Sequence, residues 1–193
     1  MHLPTLETTR LLVRPLNERD IAACHQLYLD IAWSDPTLSE PLNLEKRRAW
    51  VEWSTRNYEQ LAALDQPPYG DRAVSLKSGP LVGLVGLVPL LAPFDQLPSR
   101  GGAAQSRFTP EVGLFWAVSP QHQRQGYASE AALALVQYAF RELKLARIVA
   151  GTDHDNHASI AVMKKLHMRI EQNPHNTPPW FQTVGVLDAA QAS

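Results

Sequence analysis

Every position from 112 to 118 is apolar, aromatic or glycine: Val112, Gly113, Leu114, Phe115, Trp116, Ala117, Val118. A run of that length and make-up predicts a buried strand. Ser119-Pro120 stops it and a short polar stretch follows. From Ala128 onward Ala132, Leu135, Val136, Ala139, Phe140 and Leu143 recur at helical spacing, the pattern of a helix with one face on a sheet. Residues 111–130 therefore read as strand, tight loop, helix, and the rest of the chain is organised around them.

Upstream, Leu11-Leu12-Val13 predicts a short strand. Polar residues 17–20 open a helix carrying Ile21, Cys24, Leu27 and Leu29, and a loop with Pro36 and Pro41 spans 32–42. A second helix is expected over 44–64; its Trp50, Trp53 and Tyr58 read more readily as core than as substrate contacts. Pro67-Pro68-Tyr69-Gly70 breaks it. Residues 73–77 and 81–90 read as a hairpin turning near Ser78-Gly79-Pro80, its second strand apolar on both faces as in the middle of a sheet. Residues 93–110, with Gly101-Gly102 and few large apolar residues after Phe94, read as the least structured segment, either a loose hairpin loop or a lid.

Downstream, 146–152 predicts a strand, 153–157 a turn, 159–166 a helix, 168–171 a strand, 173–179 a proline-broken loop and 180–187 a last strand, with a frayed tail over 188–193. There is no repeat and no second domain in this pattern.

Composition narrows the function. The chain has 193 residues, suited to one domain, and a chain this long buries roughly 70% of its unfolded surface without a metal or disulfide staple. Cys24 is the single cysteine, so no internal disulfide forms; within its helical pattern it reads as core rather than nucleophile. A formal net charge of −1 leaves no basic field for nucleic acid. Residues 1–10 carry no apolar signal region and no apolar run approaches membrane-spanning length, so a cytoplasmic protein without a membrane partner is expected.

The loop Gln123-Arg124-Gln125-Gly126-Tyr127-Ala128 carries the chemistry. The first N–H groups of a helix have no intrahelical partner and sit at the positive end of its dipole, where phosphate binds readily. Gly126 removes the Cβ that would hold a diphosphate off the main chain, Ala128 is small, and Arg124 adds positive charge. The plainer alternative is a strand-to-helix turn in which Gly126 only relieves strain. The nucleotide-triphosphate loop is excluded by the missing Gly-Lys-Ser/Thr, and the dinucleotide fingerprint by the missing Gly-x-Gly-x-x-Gly.

The Gln-x-x-Gly-x-Ala loop resembles the acetyl-CoA loop of the GNAT superfamily of N-acetyltransferases, whose pattern is Gln/Arg-x-x-Gly-x-Gly/Ala. Two further matches follow in the right order. Asn156-His157-Ala158-Ser159 with Val162-Met163-Lys164-Lys165-Leu166 resembles the Asn-x-x-Ser…Lys-Leu-Gly-Phe segment of the RimJ/RimL branch, which acetylates ribosomal-protein N-termini and related amines. Residues 7–15, with Asp20, resemble that branch's opening strand and first helix. The resemblance covers residues 5–187 and departs at four places. His167-Met168 replaces Gly-Phe, and Met163 stands where many members carry a proton-donating tyrosine. Gly151 stands where some carry a catalytic carboxylate, and residues 88–109 form a longer link than usual.

The resemblance implies one α/β (α+β) domain over 1–193. Its mixed, mostly antiparallel sheet of about seven strands is splayed near its centre, with helices on both faces. It implies acetyl transfer from acetyl-CoA, with no metal, to a small-molecule or peptide amine, by a monomer or homodimer. Gln123, Arg124, Gln125, Gly126, Tyr127, Ala128 and Ser129 would hold the diphosphate. Phe115, Trp116, Ala117 and Val118 would pair with the pantetheine arm, with the Val118 N–H on the developing oxyanion. Asn156 would bond that arm, or be a turn residue tolerating left-handed geometry. Ser159 would protonate the leaving thiolate, or cap its helix. Glu111 would act as base through water, or be a surface carboxylate. His122 and His154 are further candidates, more simply read as solvated. The missing tyrosine and carboxylate keep a second reading in play, a non-catalytic acyl-CoA binding or sensor module.

Overall fold

A computed structural model describes residues 4–191; the last two residues of the expected frayed tail lie outside them. Eight strands, β1 Leu6–Glu7, β2 Leu11–Pro15, β3 Gly70–Leu76, β4 Leu81–Ala92, β5 Thr109–Val118, β6 Arg147–Thr152, β7 Arg169–Gln172 and β8 Thr183–Asp188, hydrogen-bond in the order β1-β2-β3-β4-β5-β6-β8-β7. The helices are α1 Ile21–Asp30, α2 Glu40–Ala63, α3 Tyr127–Arg141 and α4 His157–Lys165. This is the mixed, mostly antiparallel α/β fold that the sequence predicts. The strand beyond the expected seven is β1, two residues long and below the reach of any periodicity. Strands β1 to β4 pair antiparallel in succession, and β8 pairs antiparallel with β6 and β7. By contrast β5 and β6 run parallel, with Gly113 opposite Val149.

The chain forms two compact units, one of residues up to 87 with 115–135, the other of 88–114 with residues from 136 onward. In the first, Leu16, Ile21, Cys24, Leu27, Val51, Ala73 and Leu84 make the core. Cys24 is buried there and unpaired; burial pushes its thiol up to about 12, so it is a core residue and not a nucleophile. Helix α1 is entered through a capping box. Asn17 Oδ1 accepts from the Arg19 N–H at 3.0 Å, and the Asp20 carboxylate accepts from the Asn17 N–H at 2.9 Å. The same carboxylate takes two bonds of 2.7 Å from the Arg14 guanidinium.

Helix α2 starts four residues earlier than its apolar pattern, with Pro41 inside its first turn rather than in the loop. A proline there costs nothing, because that N–H has no helical partner anyway. Its tryptophans are not core: Trp50 and Trp53 are 40% and 51% exposed, and Trp50 donates Nε1–H to Asp71 at 2.8 Å. Tyr58 is the buried aromatic, donating to the Asp71 carbonyl and accepting from the Leu16 N–H.

In the second unit the core is Ala92, Phe94, Leu97, Val149, Phe181, Val184 and Val186. The expected least structured segment, 93–110, is largely irregular, but its start is packed. Two 3-10 turns, Phe94–Gln96 and Pro98–Arg100, put Phe94 and Leu97 fully inside, with Phe94 edge-on to Phe181 at 5.5 Å. Buried Gln96 donates to the carbonyls of Ala104 and Thr177 and accepts from Asn173, so its amide costs nothing to bury.

Asp20→Asn is expected to lower stability by about 2 kcal/mol at neutral pH, because it leaves the Arg14 guanidinium half-paired. Burial works to raise the Asp20 carboxyl, but the hydrogen bonds from Arg14 and the Asn17 N–H outweigh it and hold the group below the usual carboxylate range. A depressed folded value means a contribution complete above the ordinary range and lost as pH falls through the folded one. Urea melts of the two proteins should differ at neutral pH and converge as the pH falls through the lowered Asp20 value; a gap that persists once the carboxyl is protonated would refute this account.

Candidate active site: an anion loop and a capped helix

The loop of the first unit is built from the end of β5. Ala117 and Val118 are buried, and the Ser119 N–H donates to Val82 O at 2.9 Å. On the neighbouring strand only glycine fits: a Cβ on Gly83 would meet Ala117 O at 2.3 Å. The Gln123 side chain folds back, Nε2 donating to Val118 O at 3.1 Å, so this predicted ligand residue spends its amide on the loop itself. Arg124 and Gly126 both take left-handed backbone, φ 61 and 84. Glu130 is the first residue to close a turn of α3, its N–H on Gly126 O at 3.0 Å. The N–H groups of Tyr127, Ala128 and Ser129 are therefore left over by helix geometry, at the positive end of a 15-residue helix.

Sequence reasoning missed what holds this loop. Arg10, at the turn between β1 and β2, donates Nη1–H to Gln125 O at 2.9 Å and lies over the Tyr127 ring at 4.6 Å. The Glu130 carboxylate takes four donors: Thr8 Oγ1 at 2.6 Å, the Arg10 backbone N–H at 2.9 Å, Arg10 Nε at 2.7 Å and Arg10 Nη2 at 2.6 Å. Burial would raise this carboxyl, but those bonds win and hold it below its ordinary value. The only local signal was an acidic residue in the first turn of a helix, which is common for reasons of dipole alone.

Aromatic side chains flank the strand end. Phe115 packs against Trp33 with ring centroids 5.7 Å apart, and Trp33 meets Tyr28 edge-on at 5.8 Å.

The second unit carries the other predicted residues. Asn156 is exposed and is the N-cap of α4, its Oδ1 accepting the Ser159 N–H at 3.0 Å. Its backbone has φ −76, not left-handed. Ser159 is consequently the capped residue and not the cap, and its half-buried hydroxyl is left over. Glu111 is no lone surface carboxylate: it takes Arg100 at 2.7 Å and Arg147 at 3.4 Å, and Arg147 also holds Asp188 at 2.6 Å. His154 is tied rather than merely solvated, with Nδ1 2.9 Å from Thr183 Oγ1 and its N–H on the Gln182 side chain. Met163 is fully buried. Gly151 faces open space, with no atom within 4 Å of a Cβ built there. Among the described residues no cluster of three or more His, Cys, Asp or Glu could hold a metal, and no helix is long and apolar enough to cross a membrane.

Residues 10–169 match the family model of the acetyltransferase (GNAT) domain. The chain is 31% identical over 186 residues to the FsC-acetyl coenzyme A-N(2)-transacetylase of Aspergillus fumigatus, covering 91% of this chain and 71% of that protein. It is 48% identical to the uncharacterized N-acetyltransferase YnaD of Bacillus subtilis over 63 residues only, 33% of this chain and 36% of that protein. In fold it is similar to RimL, the ribosomal L7/L12 alpha-N-protein acetyltransferase crystallised with coenzyme A, with TM-score 0.63, 18% identity, and 96% of this chain and 97% of that one covered. With the family model matched over most of its length, this protein belongs to the GNAT family of acetyltransferases.

Proposed function

We propose that this protein transfers the acetyl group of acetyl-CoA directly to a primary amine. The observation that carries the reading is the start of α3. Three leftover N–H groups follow a loop whose Arg124 and Gly126 both take left-handed backbone. Such a corner suits a diphosphate, whose charge it would meet with main-chain donors and the dipole end. In this reading residues 123–129 hold the diphosphate. The main chain of Phe115, Trp116, Ala117 and Val118 guides the pantetheine arm, and the Val118 N–H polarises the thioester carbonyl. Asn156 supports the arm with its amide N–H₂, since capping uses only its oxygen.

In the reaction the amine nitrogen bonds to the acetyl carbon and the carbon–sulfur bond breaks; the amine gives up a proton and the departing thiolate takes one. Ser159 has a hydroxyl to offer the thiolate. Glu111 would take the amine proton through water, with Arg100 and Arg147 fixing its orientation. Gly151 supplies no carboxylate, which favours an acceptor that is already partly neutral. An α-amine near pKa ~7.8 is about 15% neutral at pH 7, whereas a free lysine is below about 0.1%. Protein N-termini and weakly basic small-molecule amines fit that demand. Among the similar proteins one is named an alpha-N-protein acetyltransferase and another an FsC-acetyl coenzyme A-N(2)-transacetylase.

The direct test is thiol release from acetyl-CoA over a panel of N-terminal peptides and small amines of graded basicity, with binding of coenzyme A measured in parallel. Binding without release on any acceptor would replace the enzyme with a sensor. Gly126→Asp is expected to abolish coenzyme A binding, since it strains a φ of 84 and sets a carboxylate against the Arg10 guanidinium that holds the loop; unchanged affinity would remove the loop from the site. Ser159→Ala is expected to reduce turnover with little change in donor affinity, because the cap belongs to Asn156 and stability should hold. Gly151→Glu should fold with stability within about 0.5 kcal/mol of wild type. It should also speed transfer to strongly basic amines over weakly basic ones at pH 7, and an equal effect on both would argue against a missing base there.

A further inference from the structure

The contacts of Arg10 have a consequence for the loop that they brace. In a trans peptide the carbonyl oxygen and the following N–H point in opposite directions. Arg10 Nη1 fixes Gln125 O at 2.9 Å, so the N–H of Gly126, in the same peptide unit, is turned to the side away from Arg10. A Cβ on Gly126 would lie 3.4 Å from Arg10 Nη2, so the arginine walls that side of the loop.

The second consequence is electrostatic. Glu130 occupies the first turn of α3, the same positive end that an anionic ligand would use. Left alone, its charge would oppose a diphosphate held at the same helix end. Four donors from Thr8 and Arg10 engage both of its oxygens, and the guanidinium cancels its charge. The carboxylate in turn fixes the guanidinium, which makes the bond to Gln125 O a rigid one.

We propose that Arg10, with Thr8 and Glu130, is the positioning device of the anion loop. It aims the Gly126 N–H toward the ligand and neutralises Glu130, and so sets how tightly the diphosphate end of the acyl donor is held without touching the acyl group. This rests on the acetyl-CoA reading above.

The test compares wild type, Arg10→Gln, Glu130→Gln and the double variant on two donors, acetyl-CoA and acetyl-pantetheine, which lacks the diphosphate. Arg10→Gln should raise the KM for acetyl-CoA roughly 10- to 100-fold, the loss expected for charge-assisted bonds. Its kcat at saturating donor should stay within about twofold, and its kcat/KM for acetyl-pantetheine should be unaltered. The double variant should recover part of the acetyl-CoA loss, because the uncompensated carboxylate is gone. If Arg10→Gln weakens both donors alike, or leaves the acetyl-CoA KM unchanged, Arg10 merely supports the fold and the proposal fails. If Arg10→Gln does not fold, Thr8→Val, which removes one donor to Glu130, carries the same comparison with a smaller expected rise. Coenzyme A titration of the wild type separates the two readings: wild type that binds while Arg10→Gln binds equally well sinks the positioning role alone, and wild type that does not bind sinks the acetyl-CoA reading with it.

Discussion

One peptide unit, between Gln125 and Gly126, decides what the loop can do. Its oxygen is committed to Arg10, and its N–H is thereby directed to the opposite side. That orientation needs left-handed backbone at Arg124 and Gly126, and the first of these is not a glycine. A left-handed non-glycine residue costs on the order of 1 kcal/mol and persists only where its surroundings hold it. Here the surroundings are specific: Gln123 bonded back to Val118 O, Arg10 on Gln125 O, and Glu130 N–H on Gly126 O. Positive φ at a non-glycine residue is shared with Ala32, Asp65, Lys144 and His167; what sets this loop apart is that side chains from a distant turn hold it.

Glu130 sharpens the point. An acidic residue in the first turn stabilises a helix, yet it claims the positive end that an anion site requires. The chain resolves the conflict by giving the carboxylate four donors from one short turn between β1 and β2. The helix keeps its favourable charge, and the leftover N–H groups face a neighbour whose charge is already offset. Thr8 and Arg10, in what reads as an ordinary opening segment, thereby become part of the electrostatics of a loop more than a hundred residues later.

The sequence made much of this legible. The apolar run of β5 and the helical period of α3 were long enough to identify, and the glycine between them marked the loop. What periodicity does not carry is pairing at a distance: Arg10 and Glu130 are 120 residues apart, and nothing local in either announces the other. The segment after β4 misled for a different reason. Counting apolar residues undervalues Phe94 and Leu97, two side chains three apart on tight turns that fill a core once Gln96 has its partners at 104, 173 and 177. In α2 the buried positions are Val51, Ser54 and Tyr58, at helical spacing. The inner stripe therefore runs through a serine, and the conspicuous Trp50 and Trp53 lie off it. At α4 one of the two readings of Ser159 fails, that it caps the helix: the cap is the residue whose side chain accepts the third N–H, which makes it Asn156.

The replaced tyrosine bears on how acyl transfer would be completed. Met163 is fully buried, and a Cβ on Gly185 would come within 3.1 Å of its sulfur, so position 163 serves packing in the second unit. Ser159 lies four residues earlier, on the same face of α4, half-buried and with its hydroxyl free of capping duty. The demand on it is modest. An alkyl thiol has a pKa near ~8.5, so a departing thiolate is protonated at neutral pH by a weak donor or by water. The amine is the harder half, because a protonated nitrogen cannot attack at all. In the acetyl-transfer reading proposed above, with glycine at 151 the base on offer is Glu111 through water, so an acceptor that arrives neutral fits better than a strongly basic one. Under that constraint placement of the donor carries more of the work than proton transfer, and the proposed bracing of the loop by Arg10 and Glu130 would serve it.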